Sequence, residues 1–185
     1  MFGEIMDLFQ AVEKRASVRS YKDVTISEDD LRRILNAGIR APTAGNVQPW
    51  VFIVTRKTSI KKDLAEAANH QDFIESASTI ITVCAVEKDS ASRYGIRGST
   101  LYCLQDTAAA VENILLAATA LGYGTCWIGA FDEEAVRDVL NVPETARPVA
   151  IIPLGLPKGT PASSPRKPLE EVVHHEFYGG HASSR

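Results

Sequence analysis

Cysteine is scarce in this chain of 185 residues: Cys84, Cys103 and Cys126 lie far apart and in apolar surroundings. Their odd number and wide spacing argue against a disulfide framework and against a CxxC metal or redox pair, leaving reduced, buried thiols as the expectation. Excess charge of one sign is also missing. The formal net charge of -3 gives no global pull toward nucleic acid or an anionic membrane. No long hydrophobic run occurs either, because the most apolar stretch, Thr107–Leu121, is interrupted by Glu112, Asn113 and Thr119. The N-terminal residues lack a basic region followed by an apolar one, and Ile5, Leu8, Phe9 and Val12 fall at helical spacing instead. A dinucleotide fingerprint is absent, since Gly122-Tyr123-Gly124 has no third glycine and no helix after it. What is present, 45% hydrophobic and 23% charged residues, is the composition of a soluble globular protein. One cytoplasmic domain, or one domain plus an extended arm, is expected.

Periodicity and punctuation divide the chain. A first helix is expected from about Met6 to Arg15, then an extended segment over Ala16–Val24. Ser27 with Asp30 marks a capping-box-like start, and Leu31, Ile34, Leu35 and Ile39 form one apolar face of a helix that stops before Pro42. After the loop Ala41–Pro49, Trp50–Thr55 and Thr79–Val86 read as buried strands on either side of a helix capped by Thr58 and running to about Asn69. Gln71–Ser76 suggests a short helix. Lys88–Thr100 is polar and aperiodic, so a mobile loop or broken helix is expected there. Leu104–Leu121 should be a helix buried on most sides, ended by Gly122. Asp132 caps a helix to about Leu140, and Val149–Leu154 is a third apolar strand. Prolines recur from Pro157 to Pro168, as in an arm reaching over a surface, with one more strand over Glu171–Phe177 and a frayed HASSR end. The pattern is that of an α+β domain: a sheet covered by helices, one of them central.

Three regions concentrate polar groups. In an extended Arg15-Ala16-Ser17-Val18-Arg19 segment, residues 15, 17 and 19 project to one side and suit a phosphate, although Lys14 and Arg15 equally complement a helix C-terminus. The loop Pro42-Thr43-Ala44-Gly45-Asn46-Val47-Gln48-Pro49 is either a connector or a reader of a heterocycle's polar edge. Gly129 and Ala130 in the WIGAF segment either form a simple turn or admit a planar ligand close to the backbone.

Taken in order, RASVR, APTAGNVQPW, LGYGTCWIGAF and RKPLEEVV resemble the nitroreductase family, over a span from about Asp7 to Val173. The resemblance implies a nitroreductase-like α+β fold over residues 1–185, with a mainly antiparallel sheet, a C-terminal arm from about 157 to 185, and a homodimer holding FMN between subunits. It implies that Arg15, Ser17, Arg19 and Arg166 hold the flavin phosphate and ribityl chain, a role that several charge-assisted donors fit. Pro42, Thr43, Ala44 and Asn46 would approach the flavin from the neighbouring subunit, Gly129 and Ala130 would offer backbone N–H groups near N5 and O4, and Gln71 would face the pyrimidine edge. Lys88–Thr100 stands where relatives carry helices that cover the substrate.

The function implied is a ping-pong flavoenzyme that takes electrons from NAD(P)H and reduces an electron-poor acceptor such as a nitroaromatic or quinone, with no side chain acting as catalytic base. FMN-dependent dehydrogenases, dehalogenase-type relatives and flavin-binding modules with little turnover are the alternatives. His174 and His175 point apart on a strand, His70 reads as a loop residue, and no metal site is expected. Cys126 has no base beside it in the sequence to activate it, and Lys61-Lys62 reads as a solvated helix face.

Overall fold

The computed structural model describes residues 6–161 and 164–180. Ile5 of the first helical pattern and the HASSR end lie outside the described residues. Among the described residues, six helices surround one four-stranded sheet: α1 Leu8–Lys14, α2 Glu28–Gly38, β1 Trp50–Thr55, α3 Thr58–Ala67, β2 Thr79–Ala85, α4 Glu87–Arg97, α5 Cys103–Ala120, β3 Gly124–Thr125, α6 Glu133–Leu140 and β4 Arg147–Gly155. The strand order is β1-β2-β4-β3, and every pairing is antiparallel. No helix among the described residues is long and apolar enough to cross a membrane.

Local chemistry explains where the helices start. Ser27 Oγ accepts the Asp30 N–H at 3.1 Å, and Asp132 Oδ1 accepts from Glu134 and Ala135, each at 3.0 Å. A reciprocal capping box forms elsewhere, between Asp7 and Gln10 at the start of α1. Thr58 does not cap α3: Lys57 occupies the cap position, and its side chain accepts no bond there.

The sheet is sandwiched. All seven residues of β2 are buried, which is why it reads as a continuous apolar run. Alternate residues feed opposite cores: Ile81, Val83 and Ile152 pack with Ile34 of α2 and Ile114 of α5, while Ile80 and Ile151 pack with Leu64 of α3 and Val136 of α6. Each fully buried isoleucine contributes about 1.5–3 kcal/mol, so these two faces dominate stability. Along α5 only Gln105 and Glu112 are exposed, in keeping with its central place.

Of the two conformations expected for residues 88–100 the broken helix forms, whereas Glu171–Phe177 departs from expectation. Residues 88–100 are helical rather than loose: α4 covers most of them and joins α5 through a wider π-type turn over Gly98–Tyr102. The expected break is there, but confined to Gly95, whose φ of 58° and ψ of -143° only glycine adopts readily. Glu171–Phe177 is not a strand, and a 3₁₀ turn at Leu169–Glu171 overlaps its start. That segment has no strand beside it to satisfy an extended backbone, so it curls into local turns, including His175 N–H to Gly180 C=O at 3.0 Å.

One charged contact ties a helix to the sheet. The Arg147 guanidinium donates two bonds to Glu133, at 2.9 and 2.7 Å, and holds its carboxyl below the ordinary glutamate range. A depressed carboxyl stabilises the fold above its unfolded pKa, and that contribution is lost as pH falls through the folded value. Both side chains are about 40% exposed, and solvent screening keeps the pair to about 0.5–1 kcal/mol. Glu133→Gln is expected to lower the unfolding free energy by that amount at pH 7. In denaturant titrations the gap to the parent should close progressively below pH 4.5.

Candidate functional site

Arg15 ends α1, and the chain then runs extended. Ser17 forms a parallel bridge to Thr125, and Val18 N–H donates to Thr125 C=O at 2.8 Å. The bridge needs Gly124 beside it: a Cβ there would lie 2.6 Å from Val18 Cγ2. Val18 and Tyr21 turn inward to pack with Ala77, and the Tyr21 hydroxyl donates to Val18 C=O at 2.6 Å. With Val18 turned inward, its neighbours Ser17 and Arg19 are exposed, and Arg15 is half-buried. Arg15, Ser17 and Arg19 line a cavity of about 430 Å³ together with Glu13 and with Arg166 and Ser164 of the C-terminal arm. Arg166 is steadied by its own backbone, donating to Ser164 C=O at 3.0 Å, and the Arg19 guanidinium lies 5.9 Å from the centre of the Phe73 ring.

Cys126 lies under this group and is buried. Burial raises its thiol pKa, against the lowering influence of Arg19, a Ser17 hydrogen bond and Arg15. The net effect is upward, so the thiol stays protonated near neutrality and is a poor nucleophile.

A second group follows in the same strand direction. Ile128 exchanges both backbone bonds with Ile151, each at 3.0 Å, and Gly129 and Ala130 then leave the ladder exposed. Their N–H groups donate to no protein acceptor among the described residues. A Cβ on Gly129 would meet nothing within 4 Å, so the backbone there faces open space. The Ala130 carbonyl is braced by Asn69 Nδ2 at 3.1 Å and by Gln71 Nε2 at 3.4 Å, the latter also bonding Ala68 C=O at 2.8 Å. Gln71 is thus a brace for this segment within its own chain. Asn69 is a second brace of this segment, and one that sequence reading misses. Its φ of 57°, shared by His70, is a conformation asparagine tolerates, and an Asn at a helix end is the only signal of it.

The third group stands apart. Ala44–Asn46 forms a 3₁₀ turn with Gly45 and Asn46 at φ 57°, and Thr43 Oγ1 accepts Gln48 N–H at 3.2 Å. Ala44 N–H donates to Asp106 Oδ1 at 3.1 Å, while Asp106 Oδ2 is buried without a partner. Burial raises the Asp106 pKa against this backbone bond. Asp106 belongs to the first turn of α5, whereas β3, the partner of Ser17, follows its C-terminal end. Along the α5 axis these ends are about 20 Å apart at 1.5 Å per residue. One chain therefore assembles Arg15, Ser17, Arg19 and Arg166, sets Gly129, Ala130 and Gln71 beyond them, and holds Pro42, Thr43, Ala44 and Asn46 at the far end of α5.

Known proteins share this framework. The family model described as the nitroreductase family matches residues 12–71 and 66–156. A protein of Archaeoglobus fulgidus named as an NADH dehydrogenase/NAD(P)H nitroreductase is 39% identical over 156 residues, covering 82% of this chain and 86% of its own. The structure of NfrA2 from B. megaterium aligns with a TM-score of 0.86 at 28% identity, over 94% of this chain and 76% of that one. An NADPH:FMN oxidoreductase from Vibrio harveyi, solved with NAD+, aligns with a TM-score of 0.85 at 25% identity, over 92% of this chain and 77% of that one. A family match across most of the chain, together with a relative 39% identical over most of both sequences, settles the assignment: the chain belongs to the nitroreductase family.

Proposed function

We propose that this oxidoreductase of the nitroreductase family binds FMN and uses NAD(P)H to reduce an electron-poor acceptor in alternating half-reactions. The observation that carries the reading is the convergence of Arg15, Ser17, Arg19 and Arg166, from opposite ends of the chain, on one cavity. The donor set fits the group. Three guanidinium forks and a hydroxyl match the oxygens of a phosphate monoester, and the open backbone at Gly129 leaves room for a flat ring. When bound, FMN supplies a ring that accepts and donates hydride, so that donor and acceptor can use one site in turn.

The chain's own residues position and tune. Arg15, Arg19 and Arg166 would neutralise the phosphate, with Ser17 as an additional donor. The uncommitted N–H groups of Gly129 and Ala130 would act as fixed dipoles toward the ring, kept in place because Asn69 and Gln71 hold the Ala130 carbonyl. Such donors move no proton themselves and cost no reorganisation when charge develops. Cys126, protonated and buried, takes no part.

A second copy of the chain completes the arrangement. The loop Pro42–Asn46 sits too far along α5 to share a ligand with Ser17 of its own chain. Among the described residues, Leu8, Phe9 and Val12 of α1 are exposed, Phe9 to 83%, and so are Leu169 and Phe177 of the C-terminal arm. Burying such residues against a partner is the ordinary use of a surface that a monomer leaves apolar. The homodimer proposed from these features would bring the loop of one subunit to the cavity of the other.

Under anaerobic conditions the visible absorbance of the FMN-loaded protein should bleach with NADPH or NADH and return when a quinone or nitroaromatic is added. Persistent colour with both donors would sink the reductase reading. Arg15→Ala and Arg166→Ala should each weaken FMN retention by about 1.5–3 kcal/mol, as expected for lost charge-assisted bonds. Parent-like affinity in both variants, read by fluorescence titration, would show that the phosphate lies elsewhere. Sedimentation of the FMN-loaded protein should give a dimer, and a stable loaded monomer contradicts the shared site.

A further inference from the structure

Helix α4 carries two arginines whose placement the reading above does not use. Asp89 precedes Arg93 by four residues, the spacing at which a helical acid and base pair readily. No such pair forms; among the described residues neither Arg93 nor Arg97 makes an ion pair. Arg93 turns to the Pro42–Asn46 loop, donating from Nη1 to Gly45 C=O at 2.6 Å. Its guanidinium lies 5.6 Å from the centre of the Tyr94 ring. Beyond the break at Gly95, Arg97 lies 5.3 Å from the centre of the Tyr102 ring and donates from Nε to its hydroxyl at 3.0 Å. Tyr94 and Tyr102 themselves meet edge to face at 5.2 Å, so the two cations share one aromatic mount. A side chain at position 45 would run into the Tyr94 hydroxyl and the Arg93 guanidinium, which shows how closely this mount sits on the loop.

We propose that Arg93 and Arg97 form the anion-recognition edge of the substrate site, favouring a flat substrate that carries an oxyanion group beside its reacting ring. The proposal rests on the reading that the Pro42–Asn46 loop borders the flavin. A guanidinium laid against an aromatic face keeps its charge and its outer N–H groups available, and it loses little freedom when an oxyanion docks. Each arginine here spends one donor nitrogen on the protein, and the others remain for a carboxylate, sulfonate or phosphate. Both are exposed, as is Ile96 between them, so a ring can lie against an apolar side chain while its anionic group reaches the cations. The anion belongs either to the acceptor or to the 2′-phosphate that distinguishes NADPH from NADH.

Equilibrium calorimetry on the FMN-loaded protein tests this without turnover. Two ligand pairs separate the sources: 4-hydroxybenzoate against 4-hydroxybenzamide for the acceptor, and 2′,5′-ADP against 5′-AMP for the donor. The parent should prefer the more anionic member of at least one pair by about tenfold or more. Arg93→Gln and Arg97→Gln should each reduce that preference about fivefold, Arg93→Lys should retain part of it, and Lys88→Gln, on the same helix, should leave it intact. Because the readout is a ratio within one variant, a general loosening of the loop does not imitate it. No preference in either pair, an unchanged preference in both Gln variants, or an equal loss in Lys88→Gln overturns the proposal. Failure of NAD(P)H to bleach the parent would instead remove the reductase reading and leave the binding ratios to decide this one.

Discussion

The bond from Val18 N–H to Thr125 C=O is the constraint on which the site depends. It sews the segment after α1 to the shortest strand of the sheet, and only a residue without a Cβ at position 124 lets Val18 come that close. Once Val18 is pinned, the alternation of an extended chain sends Ser17 and Arg19 outward. The same strand, continued through Cys126 and the Ile128–Ile151 pair, delivers Gly129 and Ala130 beyond the cavity. Two stretches more than a hundred residues apart in sequence are thus set in register by one short ladder. Its net contribution of about 1 kcal/mol per bond is small beside the cores, but its geometric effect is large.

The cores determine what can vary. The faces of β2 and β4 are filled by α2 and α5 on one side and by α3 and α6 on the other, and a volume change there is costly. The regions proposed to bear chemistry lie outside them: the 15–19 segment, the 129–130 exit from the sheet, the 42–46 turn and the exposed face of α4. The first three are irregular stretches, and side-chain bonds to the backbone such as Asn69 to Ala130 and Arg93 to Gly45 hold the last two of these in place. A rigid sandwich with adjustable rims is a common way for one fold to serve several substrates.

Much of this was legible in the sequence where the determining forces are local. Ser27 and Asp132 cap helices because a short polar side chain next to an apolar-periodic run satisfies orphan N–H groups. β2 is legible because a strand buried on both faces must be apolar throughout. The alternation of Arg15, Ser17 and Arg19 is legible because extended backbone has a fixed period. The brace from Asn69 was not, since its partner is 61 residues away and nothing local identifies it. Likewise the expected strand over Glu171–Phe177 had suitable residues but no neighbouring strand, and pairing is a tertiary fact. Lys88–Thr100 looked aperiodic because Gly95 shifts the phase of a helix partway along it, and a pattern read across such a break loses its period.

That break also bears on how the site is divided. A straight helix through residue 97 would carry the chain into α5 without a change of direction; the turn at Gly95 and the π-type turn after it bring Tyr102 against Tyr94 instead. The aromatic pair leans on the 42–46 loop, and that loop is anchored by Ala44 N–H to buried Asp106 in the first turn of α5. The loop is therefore held by two side chains from different helices, the Asp106 carboxyl of α5 and the Arg93 guanidinium of α4. The cavity lined by Arg15, Ser17, Arg19 and Arg166 shares none of these contacts. Substitutions on α4 can therefore change what approaches the loop while the arginine cavity keeps its shape, since distant sites without shared partners respond independently. Each half is built by its own local contacts at opposite ends of one chain, and bringing the two together is the role proposed for a second copy.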